Sequence, residues 1–284
     1  MSVSYDNASG SKEGADSSPL TWSHTIGSGS NRLLVVGVTN NSNTGTVSVT
    51  YDSASMTEWS HYHAVNSDSN PFLTFFYMKE ANLPSSGAHD IVVTYGGGTS
   101  VVTAGAISFA GVDQTTPLQN KNEGTNGAGL SATITSSTDN MAVLFSGCGT
   151  FPGTLGGGGS PTERVRQEYD GSNYMNNIVG VTAAGAASVA ITYTDVSDTY
   201  TWIGADVVSA SVATTLDQEG FRFRNDDGDE TSATWLASQD ANVTAPLDTN
   251  TRIRFVLDGV GDPDATQFQL EAKLSTDSVW WKVA

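Results

Sequence analysis

The sequence predicts an all-β chain built from stacked antiparallel sheets, and three observations carry that prediction. Short apolar or alternating runs recur along the 284 residues. Gly, Asn, Asp and Pro punctuate nearly every gap between them. No segment sustains an apolar period of 3.6 residues, so helices should be few and short. The composition agrees, because β-branched residues are common and strong helix formers scarce. A hydrophobic fraction of 38% still supplies a core.

The runs divide into two groups. From the N-terminus they read LTWSHTI, NRLLVVGVTN, VSVTYD, FLTFFYMKEA, HDIVVTYG, VVTAGAISFAG, LSATITS, NMAVLFSG, NNIVGVTA, ASVAITYTD and WIGADVVSAS. Many short strands at this spacing predict one jelly-roll-like β-sandwich over residues 1–212. Within it GTLGGGGSPTE reads as a long exposed loop, since apolar alternation resumes afterwards.

The pattern changes near Thr214, and residues 213–284 read as a separate small β-sandwich of immunoglobulin or fibronectin type. Phe221 and Phe223 share one strand face, Arg222 and Arg224 the other. In TRIRFVLDG, Ile253, Phe255 and Leu257 face inward while Arg252 and Arg254 face out. In QFQLEAKL, Phe268, Leu270, Ala272 and Leu274 alternate with polar neighbours. Such strands are wet on one side, and the Asp227-Gly228 step signals a hairpin. In the last strand Val279, Trp281 and Val283 oppose Trp280 and Lys282, which leaves Trp280 to pack on another surface.

Charge excludes two partner classes. Charged residues make up only 15%, yet the net charge is −18. Nucleic-acid binding relies on Lys and Arg neutralising phosphates, so this chain should be repelled by it, and an anionic membrane should repel it too. Strong net charge suits a molecule kept soluble while many copies sit close together. Cys148 is the only cysteine, which rules out an intrachain disulfide. Together with a start that lacks a basic and apolar leader, this predicts folding in a reducing cytoplasm.

Catalytic constellations were sought by role. No G-x-S-x-G elbow occurs, and no Lys-Ser/Thr follows the glycines at Gly156–Gly159 to cradle a phosphate. His61 and His63 share a strand side near Glu58 and could share a metal, but further ligands at fixed spacing are missing. A polar strand face or a subunit contact is the simpler account. NDDGDE at Asn225–Glu230 misses the calcium-loop register and reads as a charged hairpin tip. Glu163, Glu168 and Asp170 could be imagined as a glycosidase pair; alternation with Arg164 and Arg166 predicts ion pairing on a solvated strand instead. The Arg222/Arg224 and Arg252/Arg254 pairs could bind an anionic partner, or pair with Glu271, Glu230 or Asp262. No catalytic residue, metal or cofactor is assigned.

NRLLVVGVTN, AGAISFAGVDQTTPL, TSSTDNMAVLFSG and SPTERV resemble a jelly-roll module that recurs in phage and bacterial surface proteins. The segment FRFRNDDGDETSATWLASQD…TRIRFVLDGVGDPDATQFQLEAKLSTDSVWWKV is similar to a small module of phage virion proteins and bacterial extracellular repeats. The resemblance implies a structural protein on the outer surface of a tailed-phage virion: a capsid decoration (cement) protein or head fibre. Its partners would be the major capsid protein, other virion proteins and copies of itself, in a homo-oligomer such as a trimer. Trp280, Trp22 and Trp59 are the expected interface residues. The competing expectation is a tail-associated receptor- or carbohydrate-binding protein, with Tyr62, Tyr77, Tyr169 and Tyr174 available for stacking on a glycan. A polysaccharide hydrolase using Glu163 or Glu168 is the third.

Overall fold

A computed structural model describes the chain apart from residues 15–17, 41–46, 64–70, 97–100, 128, 150–151, 171–174, 195–198, 212–214, 230, 245–249, 261–270, 273–275, 277–278, 280 and 283–284. The fold is antiparallel β throughout, and a single 3₁₀ turn, Glu80–Asn82, is the one helical element among the described residues. The chain divides into two units, Met1–Ser211 and Val212–Ala284.

In the first unit, β1 (Ser4–Gly14), β2 (Leu20–Ile26), β3 (Leu33–Asn40), β4 (Val47–Tyr51), β5 (Ala54–Ser55), β6 (Thr57–Tyr62), β7 (Phe72–Lys79), β8 (Gly87–Tyr95) and β9 (Val101–Ala110) come first. They form an inner sheet ordered β1-β9-β3-β7-β6 and an outer sheet ordered β2-β8-β4-β5. Then follow β10 (Leu118–Asn126), β11 (Leu130–Ile134), β12 (Met141–Cys148), β13 (Thr154–Gly157), β14 (Thr162–Asp170), β15 (Met175–Ala184), β16 (Val189–Thr194) and β17 (Tyr200–Val207). Their inner sheet is β10-β17-β12-β15-β14 and their outer sheet β11-β16-β13. Replace β1, β2, β3, β4, β6, β7, β8 and β9 by β10, β11, β12, β13, β14, β15, β16 and β17, and one winding becomes the other. The unit is a tandem repeat.

The β-sandwich architecture expected over residues 1–212 is present, and it occurs twice. The two sandwiches pack through their inner sheets into four layers. Val35, Phe75, Ile107, Phe145, Ile178 and Ile203 fill the space between the inner sheets. Leu34, Val36, Tyr51 and Ile91 fill the first outer sandwich; Leu144, Val181, Ile191 and Tyr193 fill the second. Strands covered on both faces lose the wet side that produces alternation. Accordingly β3, LLVVGVTN, and β17, YTWIGADV, are buried at every position.

The inner sheets approach through a row of glycines. Gly10, Gly105 and Gly37 stand side by side across β1, β9 and β3. Opposite them, Val165, Gly180 and Phe145 line up across β14, β15 and β12. A Cβ on Gly37 would lie 2.4 Å from Phe145 Cγ, and one on Gly105 would lie 2.6 Å from Val165 Cγ1. The missing side chains are sockets for the opposing sheet. Phe145 also meets Phe75 edge-on, at 5.4 Å between centroids, a favoured aromatic geometry.

All four edge strands of the inner sheets carry an extra residue or two: Asp6 in β1, Trp59 in β6, Asn120 and Lys121 in β10, and Arg164 in β14. The strands between them pair without interruption. Bulged edges twist away from further strand addition. Side chains then tie each edge to the opposite sheet. Arg164 lies 3.8 Å from the Tyr5 ring centroid, and Ser60 donates to Glu123 at 2.8 Å.

GTLGGGGSPTE is not simply a loop. Thr154–Gly157 is β13, paired with β16 from Thr154↔Thr194 to Gly157↔Ile191. Gly157 sits at φ +130° with its Cα 's would-be substituent 2.1 Å from Ala190 O, so only glycine lets the strands approach this closely.

In the second unit, β18 (Thr215–Asn225) and β19 (Thr251–Val260) form a long ribbon, and β20 (Glu271–Ala272) pairs with β21 (Trp281–Lys282). Phe221 opposes Phe255 and Phe223 opposes Ile253, while Arg222 opposes Arg254 and Arg224 opposes Arg252. The aromatic and arginine faces predicted from alternation therefore align across both strands. Burial does not follow the predicted sides. Arg224 is 4% exposed, whereas Phe255 and Leu257 are 37% and 44% exposed. The chain folds back on itself across Asp227-Gly228 through a wider turn: Trp235 forms an antiparallel bridge with Arg224, Asp227 holds Thr234, and the other edge of β18 pairs with β19. Most of the predicted strand QFQLEAKL lies outside the described residues.

Candidate functional site

Asp6 and Ser9 on β1, His24 on β2 and Ser108 on β9 meet where these three strands come together. Ser108 Oγ donates to Asp6 Oδ2 at 2.7 Å, and the Gly27 amide donates to the same oxygen at 2.8 Å. With its proton so placed, Ser108 accepts from His24 Nε2 at 3.2 Å. His24 Nδ1 is then the acceptor for Ser9 Oγ at 2.8 Å, and Ser9 in turn accepts from Trp22 Nε1 at 3.0 Å. Every proton in the chain has one place to go. Burial lowers the His24 imidazole to about 4 against the pull of Asp6, so it is neutral at neutral pH. The carboxylate reaches Ser108 and not the imidazole, which departs from a nucleophile–base–orienter order. The arrangement fastens edge strand β1 to β2 and β9.

The repeat places Asp206 where Ser108 stands, since Phe109 pairs with Leu33 as Val207 pairs with Met141. Asp206 is fully buried and accepts from Ser136 Oγ at 2.5 Å, Asn140 Nδ2 at 2.8 Å and Gln119 Nε2 at 2.9 Å. Both halves thus hold a satisfied polar plug at one place, built from different residues.

Glu163 and Glu168 meet on Arg166, as alternation predicts. Arg166 donates to both Glu163 oxygens at 2.8 and 2.7 Å, to Glu168 Oε1 at 3.0 Å, and to the Pro152 and Gly153 carbonyls at 2.8 and 3.3 Å. Tyr193 OH adds a 2.6 Å bond to Glu163 Oε2. Burial would push the Glu163 carboxyl up, but hydrogen bonds from Arg166 and Tyr193 hold it below the usual range. A guanidinium fills the space between the two carboxylates, and its carbonyl contacts anchor the start of β13. Arg164 takes no part in that pairing; it stacks on Tyr5 and donates to Thr182 Oγ1 at 2.9 Å.

His61 and His63 flank the Phe72 ring, at 5.8 and 5.6 Å between centroids. His61 Nδ1 contacts Glu58 at 2.6 Å. The imidazoles form a ring ladder with phenylalanine, and no group of three metal-ligating side chains occurs among the described residues.

In the second unit, Trp235 lies over the arginine face of the ribbon. The Arg222 and Arg224 guanidinium carbons stand 4.2 and 4.7 Å from its ring centroid. Arg222 donates to Ala237 O at 2.8 Å and Arg224 to Ala233 O at 2.7 Å. Arg252 pairs with Asp226 and donates to Gly228 O at 3.1 Å. The acids predicted to pair with these arginines, Glu230, Asp262 and the Glu271 side chain, lie outside the described residues. The turn beside the ribbon is organised by Asp229, whose Oδ1 accepts from the amides and hydroxyls of Thr231 and Ser232. The Ser232 hydroxyl, followed by the Thr231 amide, holds this carboxyl far below its ordinary value.

Of the predicted interface residues, Trp22 and Trp59 are half-buried. Trp22 packs on the first outer core, and Trp59 lies on the central core, 5.4 Å from Phe75. Trp280 lies outside the described residues. Tyr62 and Tyr77 are half-buried against the central core, Tyr169 is half-buried on β14, and Tyr174 lies outside the described residues. Among the described residues no helix is long and apolar enough to cross a membrane. Neither a family model, nor a curated protein, nor a solved structure matches the chain.

Proposed function

We propose that this chain is a structural protein of the exterior of a tailed-phage virion, acting by protein–protein contact as a capsid decoration or head-fibre component. One observation carries the reading most of the way. The carboxylates, imidazole and guanidinium of the clusters around His24, Asp206 and Arg166 are saturated by partners inside the first unit. What those groups do is brace a four-layer stack. A stiff acidic body of that kind suits a part that must keep its shape while many copies crowd a surface. Resemblance of both segments to virion modules points the same way.

The test is direct. Mass spectrometry of purified particles should find the chain, and cryo-electron microscopy should place it outside the shell in contact with the major capsid protein. Contacts should bury on the order of 1,200 Å² or more in total. Particles complete without the chain would overturn the proposal.

The ladder His61–Phe72–His63, in which His61 is exposed and Phe72 and His63 are half-buried, favours a second reading, glycan binding at the tail. An aromatic face beside polar ring nitrogens is a stacking platform for a sugar ring. Glycan-array binding that disappears in Phe72→Ala, with label on the tail in immuno-electron microscopy, would replace the decoration assignment.

A further inference from the structure

We propose that Ser9 is a nucleophile for acyl transfer, taking the acyl group of small activated carboxylic esters with His24 as its general base. A nucleophile, a base and an orienting group linked by hydrogen bonds are the signature of an activated hydroxyl, whatever fold carries them. Ser9 Oγ donates to His24 Nδ1 at 2.8 Å. Across the ring, His24 Nε2 donates to Ser108 Oγ at 3.2 Å, and Ser108 donates to Asp6 Oδ2 at 2.7 Å. One hydroxyl therefore stands between carboxylate and imidazole, where the usual order has none. Because the Ser108 proton is committed to Asp6, a lone pair faces Nε2–H, and the carboxylate acts on the ring through it.

Exposure divides the parts as the reaction requires. His24 and Ser108 are fully buried, whereas Ser9 is half-buried on edge strand β1. A reagent in solution thus meets the hydroxyl and not the base. Trp22 Nε1 donates to Ser9 Oγ at 3.0 Å and steadies that oxygen as its proton leaves. The half-buried Trp22 ring gives the acyl group an apolar neighbour. The second half shows that a polar plug at this place needs no such relay. Asp206 is held there by Ser136, Asn140 and Gln119 without an imidazole, and the Ser136 hydroxyl is buried. Among the described residues, His24 is the one histidine with a serine hydroxyl on each ring nitrogen.

In the reaction Ser9 Oγ bonds to the ester carbonyl carbon while its proton passes to His24 Nδ1. The bond from that carbon to the leaving oxygen then breaks, and the proton goes to the departing alkoxide. Water attacks the acyl-serine in a second step, giving a proton to His24; the carboxylic acid leaves and the proton returns to Ser9. Burial holds the imidazole at about 4, so it is a weak base that is unprotonated at neutral pH. A base this weak slows attack by water, and the acyl-serine accumulates.

The inference does not depend on the virion reading, because it is tested on the purified full-length chain with p-nitrophenyl acetate. A burst of about one p-nitrophenolate per chain should precede slow turnover. Peptide mass spectrometry should place the acetyl group on Ser9. Ser9→Ala should abolish the burst, and His24→Gln should slow acylation by about a hundredfold or more. Ser108 is a positioning residue: Ser108→Ala should slow acylation, and Ser108→Thr, which keeps the hydroxyl, should restore it. Circular dichroism of each variant checks the fold. Acetyl groups on lysines alone overturn the proposal. So does a burst unaltered by Ser9→Ala, or a folded His24→Gln chain that acylates at the native rate.

Discussion

The two halves of the first unit share a winding yet differ where they touch. Gly37 and Phe145 occupy corresponding places, fourth after the start of β3 and β12, and they contact each other across the central core. The pair next to them is inverted, with Phe75 beside Gly37 and Gly180 beside Phe145. Each sheet offers one ring and one gap, exchanged between strands. Two identical halves would set ring on ring or gap on gap, so the complementarity comes from the places where the halves differ. Close packing rewards this, because a void or an overlap at the centre each costs stability.

Breaking that fit should have the largest effect. Phe145→Ala leaves a cavity over Gly37 and Gly180 and should cost about 3–5 kcal/mol in urea unfolding. Gly37→Val drives a side chain into the same ring and should cost about 1–3 kcal/mol, more in combination with the native Phe145 than with Phe145→Ala. If the two changes prove additive, the socket is not the contact described.

The polar plugs sharpen the comparison through pH. Unfolded, His24 takes a proton near its ordinary value of 6.5, whereas in the fold it does so only at about 4. Between these values the unfolded chain binds more protons, so stability present above pH 6.5 is lost as pH falls toward 4. The difference corresponds to about 3 kcal/mol. Unfolding at pH 7.5 and 4.5, followed by hydrogen exchange, should locate the loss in β1, β2 and β9. His24→Gln should flatten that part of the profile. Asp206→Ala strips three donors of their acceptor and should cost roughly 1–3 kcal/mol in the second half, without involving β1 or β2.

A smaller effect is expected at Arg166. Its side chain is 32% exposed, so solvent screening limits the pairing, and Arg166→Met should cost about 1 kcal/mol. The sharper readout is local: hydrogen exchange at Thr154–Gly157 should rise, because two of the lost bonds hold the chain entering β13.

Some of this was legible in the residues. Phe221, Phe223, Arg222 and Arg224 announced a strand with two unlike faces, since side chains alternate along any strand. Glu163, Arg166 and Glu168 announced their own pairing through short spacing. Continuous apolar runs such as LLVVGV carried a further signal, burial on both faces, which points to more than two layers. The duplication was harder to see, because positions that correspond, such as Gly37 and Phe145 or Ser108 and Asp206, had to differ for the halves to fit.

The sequence by itself determined that this chain is β throughout, acidic and unable to form an intrachain disulfide, for these follow from local periodicity and composition. Only the tertiary structure decided that the first unit is a pair of sandwiches, that His24 is sealed between two serines, and that glycines serve as sockets. Those outcomes depend on residues as much as about 160 positions apart meeting in space, and no local pattern encodes which strands become neighbours.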